Sequence, residues 1–97
     1  MPIVYVVQTP EYKNISRVTQ HGEIKIILQG NETLEAASLK LEDALAGFTS
    51  NDYLLLIGKS TYMGLATHFA LTQADSINFL VWQSALQDYR VEKLTVY

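Results

Sequence analysis

Gly58-Lys59-Ser60-Thr61 follows directly on the apolar run Tyr53-Leu54-Leu55-Leu56-Ile57. Gly-Lys-Ser is how the phosphate loop of a nucleotide triphosphatase ends, so the first chemistry to test is phosphate binding. Such a loop needs G-x-x-x-x-G-K-[ST], because the early glycine lets backbone N–H groups curl around the phosphates. The position that should carry this glycine is Tyr53, and Leu54 to Ile57 read as strand, which leaves no loop to wrap a phosphate. No later strand ends in the aspartate that would hold magnesium, since "INFLVWQ" ends in Trp82-Gln83. Triphosphate hydrolysis therefore has no support.

A milder anion site survives that test. If the chain folds as an open α/β sheet, Gln8 and Thr9 face the turn Gly58, Lys59, Ser60 and Thr61 at the switch point, where such sheets hold ligands. Helix N-termini and one lysine there suit a phosphate or carboxylate. The plainer reading uses Gly58 for the turn, Ser60 or Thr61 as helix cap, Gly64 for close helix–sheet packing and Lys59 in solvent.

Other chemistries have less behind them. The two histidines, His21 and His68, have no carboxylate at metal-ligand spacing, so no metal is expected. G-x-G-x-x-G is absent, so neither a dinucleotide nor any other cofactor is expected. Ser60 and Ser84 lack a nucleophile-elbow context, and no catalytic residue is assigned. With no cysteine, thiol catalysis, disulfides and thiolate metal sites are excluded. The net charge of −3, without a basic stripe, argues against duplex nucleic acid as partner.

The elements that must position these residues can be read from periodicity. Ile3 to Val7 is a continuous apolar run, the pattern of a strand buried on both faces. Thr9 and Pro10 then suit the start of a helix carrying Tyr12, Ile15 and Val18 at helical spacing. Glu23 to Gln29 is a second strand. Asn31 can cap a helix whose apolar stripe is Leu34, Ala37, Leu41, Ala44, Leu45 and Phe48. Tyr53 to Ile57 is the third strand, and about Thr61 to Ala74 the third helix, with Tyr62, Ala66, Phe69 and Ala70 inward. Ile77 to Trp82 and Tyr89 to Tyr97 form a closing hairpin whose alternation slips near Lys93, as at a bulge.

This order, β-α-β-α-β-α-β-β, predicts one α/β domain over residues 1–97. The expected fold is a small three-layer flavodoxin- or Rossmann-like sheet with strand order 2-1-3-4-5 and an antiparallel C-terminal edge strand. The N-terminus has no basic leader, and no run is long enough to cross a bilayer, so a cytoplasmic protein is expected. Six tyrosines and one tryptophan are many for this length. Trp82, Tyr89 and Tyr97 fall on the edge hairpin, where an antiparallel edge can pair with a partner or a second copy.

The segments "DYLLLIGKSTYMGLATHFAL", "INFLVWQ" and "YRVEKL", between Asp52 and Leu94, resemble a group of small proteins encoded by tailed bacteriophages. In that group a strand ending Leu-Leu-Ile-Gly leads through a short turn to a helix beginning Gly-Leu-Ala. A tryptophan-bearing strand and a valine-rich strand follow. The group's usual Asp-Pro after the glycine is replaced here by Lys59-Ser60. The resemblance implies a phage accessory protein in the host bacterial cytoplasm, without an activity to carry over. The function expected is non-enzymatic binding of a protein partner, as a homodimer or otherwise. The alternatives are a binder of a small anionic metabolite or nucleotide at Thr9, Lys59 and Ser60, and a virion component.

Overall fold

The computed structural model describes residues 2–10 and 15–96. Strands β1 (Ile3–Gln8), β2 (Glu23–Leu28), β3 (Tyr53–Leu55), β4 (Ser76–Gln83) and β5 (Asp88–Thr95) form one sheet of order β2-β1-β3-β4-β5. The first four run parallel, and β5 is antiparallel to β4. The expected α/β class, strand order and antiparallel edge are all present.

The direction of each crossover decides which face it covers. The chain steps from β1 to β2 one way, then reverses to reach β3 and β4. Right-handed crossovers put connections of opposite direction on opposite faces. Helices α1 (Leu34–Ala44) and α2 (Ser60–Gln73) accordingly share one face, where Ala37, Leu41, Tyr62 and Ala66 pack on Tyr5, Val7, Leu28, Leu54 and Ile77. On the other face Val18 packs with Val4, Val6, Leu55, Leu80 and Tyr89.

The layers differ in thickness. The connection between β1 and β2 contains a short 3-10 helix, Ser16–His21, where periodicity pointed to an α-helix beginning at Thr9. Tyr12 of that expected stripe lies outside the described residues; Ile15 and Val18 do face the core. A 3-10 helix carries its side chains at i and i+3 on one narrow line. Val18 is the sole fully buried residue among the six of that helix. Burying one valine is worth about 1.5–3 kcal/mol, enough to dock the segment but far less than a full amphipathic face supplies.

Several local expectations are corrected. Thr33, not Asn31, caps α1, its hydroxyl accepting the Ala36 N–H at 3.2 Å. Leu34 is half exposed, because the stripe that reaches the sheet begins one turn later at Ala37. Lys59 occupies the N-cap position of α2 in extended conformation, so Ser60 is already helical. Gly64 is exposed, and a Cβ there would meet nothing within 4 Å, so no close helix–sheet contact requires it. β3 stops at Leu55 as the chain turns toward Gly58. The β4–β5 ladder runs without interruption from Ser76↔Thr95 to Gln83↔Asp88, so there is no bulge at Lys93.

Candidate functional site

The switch point is framed by the ends of β1, β2 and β3, and its centre is taken by Gln8. Gly30 has φ 113° and Gly58 has φ 120°, conformations that L side chains rarely adopt. A Cβ on Gly58 would lie 2.6 Å from the Gln8 Cβ, and one on Gly30 would lie 2.7 Å from Gln8 Nε2. The two glycines thus form a slot that holds the Gln8 amide. Its Oε1 accepts the Lys59 N–H at 3.2 Å, a contact across 51 residues that ties β1 to the start of α2.

Sequence reasoning sets Gln8 and Thr9 opposite Gly58, Lys59, Ser60 and Thr61 here; Gln8 does meet that turn, and the structure divides the others. Thr9 turns to β2, where both its N–H and its hydroxyl donate to the Leu28 carbonyl, at 2.9 and 3.2 Å. Gly58 touches Gln8. The Lys59 ammonium lies over the Tyr62 ring, 5.2 Å from its centre, a cation–π arrangement. Ser60 and Thr61 are exposed on the first turn of α2, which has no side-chain cap.

Beside the slot, the β2–α1 loop makes its own anion cradle and fills it. The Glu32 carboxylate accepts the N–H groups of Gln29 and Gly30, each at 2.8 Å, and the Lys40 ammonium at 3.1 Å. Its side chain is only 4% exposed. The Gln29 N–H is the largest influence holding the Glu32 pKa down at about 2; burial opposes it, and the Gly30 N–H and Lys40 reinforce it. Glu32 is therefore a permanent carboxylate near neutrality, not a proton donor. The Tyr62 hydroxyl donates to the Glu32 backbone carbonyl and locks α2 onto this loop.

The opposite end of the sheet is closed in the same manner. Asp52 is buried and accepts the N–H groups of Ile3 and Thr49, both at 2.9 Å, and the Thr49 hydroxyl at 3.1 Å. Among the described residues neither end brings a nucleophile to a free base. No group of three metal-ligating side chains occurs among the described residues. His68 is exposed, while His21 packs against Tyr53 with ring centres 5.0 Å apart.

The C-terminal hairpin is built differently. Trp82 and Tyr89 face each other across the β4–β5 ladder, edge to face at 5.1 Å. They border a cavity of about 320 Å³ that opens where β3 ends and β4 continues. Tyr89 is 9% exposed; its hydroxyl is buried without a hydrogen-bond partner, and burial pushes its pKa up. Tyr97 lies outside the described residues. Val91, on the same face two residues along, is more than two-fifths exposed, as are Leu94 and Val96 toward the far end of the strand.

The model of the phage Pam3 gp32-like protein family matches residues 2–96. The chain belongs to that family. The likeness to phage proteins expected from Asp52 to Leu94 therefore extends over nearly the whole chain. No curated protein and no solved structure matches it significantly. No helix among the described residues of this phage-family protein is long and apolar enough to cross a membrane.

Gln8, Glu32 and Tyr62 organise the switch point; the sequence places Gln8 there facing the Gly58 turn and Tyr62 in the core, and Glu32 alone has no role in that reading. One signal could have found Glu32: it lies just beyond the Gln29-Gly30 turn, within reach of both N–H groups. Gln8 has no local signal, since Gly30 and Gly58 stand 22 and 50 residues away; the expected strand order, which sets the end of β1 beside the end of β3, is what places it opposite Gly58.

Proposed function

We propose that this phage-family protein acts without catalysis, by binding a protein partner through the free edge of its C-terminal hairpin. The observation that carries this reading is β5 itself. It is an eight-residue strand paired on one side only, with Val91 and Leu94 exposed along it and Trp82 beside it. An edge of that length presents a row of N–H and C=O groups that can add a strand from another chain. The two most enclosed carboxylates, Glu32 and Asp52, are occupied by backbone N–H groups, which supports a structural rather than a catalytic role for both. The setting is the infected bacterial cell or the virion assembled there.

The test is affinity capture from phage-infected cells, comparing the native chain with Val91→Lys. A specific protein retained by the first and lost from the second is the expected result. Capture that is indifferent to Val91→Lys would sink the reading. Mass spectrometry of purified particles separates a virion component from a protein that stays in the cell.

A second reading, a small anion at the first turn of α2, is favoured by its missing side-chain cap and by exposed Ser60 and Thr61. A thermal-shift series with orthophosphate, nucleotides and phosphorylated sugars, with Lys59→Ala as control, decides it. No stabilisation by any of them removes this reading.

A further inference from the structure

We infer that the occupant of the β5 edge is a second copy of the same chain, paired antiparallel to it about a two-fold axis through Val91. This rests on the reading of β5 as the interaction surface and specifies its partner and register. A two-fold axis perpendicular to a continuous sheet pairs residues whose side chains share a face. The registers available are therefore those centred on a residue, and the charges of β5 discriminate among them.

Centring on Arg90, Glu92 or Lys93 sets each of those charges against its own copy, which is destabilising directly across a ladder. Centring on Tyr89 or Leu94 avoids this, but leaves only residues 88–90 or 93–95 of the strand in register. Centring on Val91 pairs residues 88–94 of both copies, with Arg90 opposite Glu92 of the other copy and Val91 opposite Val91. No like charges meet.

The arrangement fits what the single chain already holds. Arg90 and Glu92 lie on one face of β5 and form an ion pair along it, with side chains 58% and 48% exposed. Residues two apart on a strand are about 6.5–7 Å apart, and residues directly opposite are about 4.5–5.5 Å apart. A second copy in this register would complete a quadrilateral of alternating sign, each guanidinium flanked by a carboxylate along its own strand and another across the interface. On the other face the two Val91 side chains, each 41% exposed, cover one another. Two five-stranded sheets become one, with both β5 edges removed from solvent. A small domain of limited core gains most from such burial.

Because the chain has no cysteine, the register can be read covalently. Val91→Cys is expected to oxidise to a linked dimer and Glu92→Cys to stay largely unlinked, because only the residue on the axis meets its own copy. Light scattering should show the native chain as a dimer. Arg90→Glu alone and Glu92→Arg alone should each weaken self-association by about tenfold or more, since each gathers four like charges. An equimolar mixture of the two should associate again, because every cross-strand contact is then attractive. That recovery cannot come from charges within one strand.

A native chain that stays monomeric at high concentration overturns the inference. So does a mixture that fails to associate, or cross-linking through Glu92→Cys in preference to Val91→Cys. A monomer that still loses partner capture on Val91→Lys overturns pairing with a second copy while leaving the edge as the interaction surface; if capture is also unaffected, both fall.

Discussion

At the ends of the parallel strands, backbone donors meet several side chains of the same chain; along β5 one does, the Tyr89 N–H donating to Asp88 Oδ1 at 2.8 Å, and no further strand lies on its outer side. Gln8 takes the Lys59 N–H, Glu32 takes those of Gln29 and Gly30, and Asp52 takes those of Ile3 and Thr49. The outer side of β5 carries exposed apolar and charged side chains over an unpaired ladder edge. In open α/β sheets the switch point is the usual ligand crevice. Here Gln8 and Glu32 occupy much of it, although the first turn of α2 has no side-chain cap, and an unpaired edge of the sheet lies at β5. Substitutions at the ends should therefore cost stability, and substitutions along β5 should cost association.

Gly58→Ala should be the most damaging of these. It forces an alanine into a φ near 120° and drives its Cβ against Gln8, so a loss of about 3 kcal/mol or more is expected in urea titration. Pairing it with Gln8→Gly should recover part of the loss, because the atoms struck, Cβ among them, belong to that side chain. Full additivity would mean that the slot is not what Gly58 serves.

Asp52→Ala should follow, at about 2–3 kcal/mol, since it strands the buried N–H groups of Ile3 and Thr49. Asp52 joins the start of β1 to the turn before β3 across 49 residues. Such a contact is absent from any local pattern. The same reason explains what could and could not be read from the sequence. The continuous apolar runs of β1 and β3 and the stripe Ala37, Leu41, Leu45 are local, and the strand order followed from them through crossover handedness. Gln8 meets Gly58 and Lys59, and Asp52 meets Ile3, only when strands distant in sequence align; the Asp52–Thr49 contacts are local. The segment before β2 was mistaken in kind because Ile15 and Val18 stand three apart, a spacing that 3-10 and α geometry both accept. Gly64 was over-read: its glycine identity implied contact, and it faces solvent.

Glu32→Gln should cost less, about 1–2 kcal/mol at pH 7, since the amide keeps part of the hydrogen bonding and Lys40 is over half exposed. Its pH dependence identifies it. The folded pKa of about 2 lies below the ordinary value for a glutamate. The carboxylate's stabilisation is thus complete above about pH 4.5 and disappears as pH falls through 2. The difference between native chain and variant should shrink over that interval. A difference that is constant with pH would assign the effect to packing rather than to the charge.

The smallest effect on folding is expected where the largest effect on association lies. Val91→Lys replaces a side chain that is 41% exposed on the outermost strand, opposite Leu80, so at high dilution it should change unfolding free energy by no more than about 0.5 kcal/mol. Long cations on an edge strand are also the usual device that keeps edges apart. Placed on the axis, two of them would meet directly, and self-association should be lost. A loss of more than about 2 kcal/mol in the dilute chain would show that Val91 belongs to the core, and the contrast between closed ends and open edge would fail. A dilute chain as stable as the native one, with association gone, separates folding from recognition at a single residue.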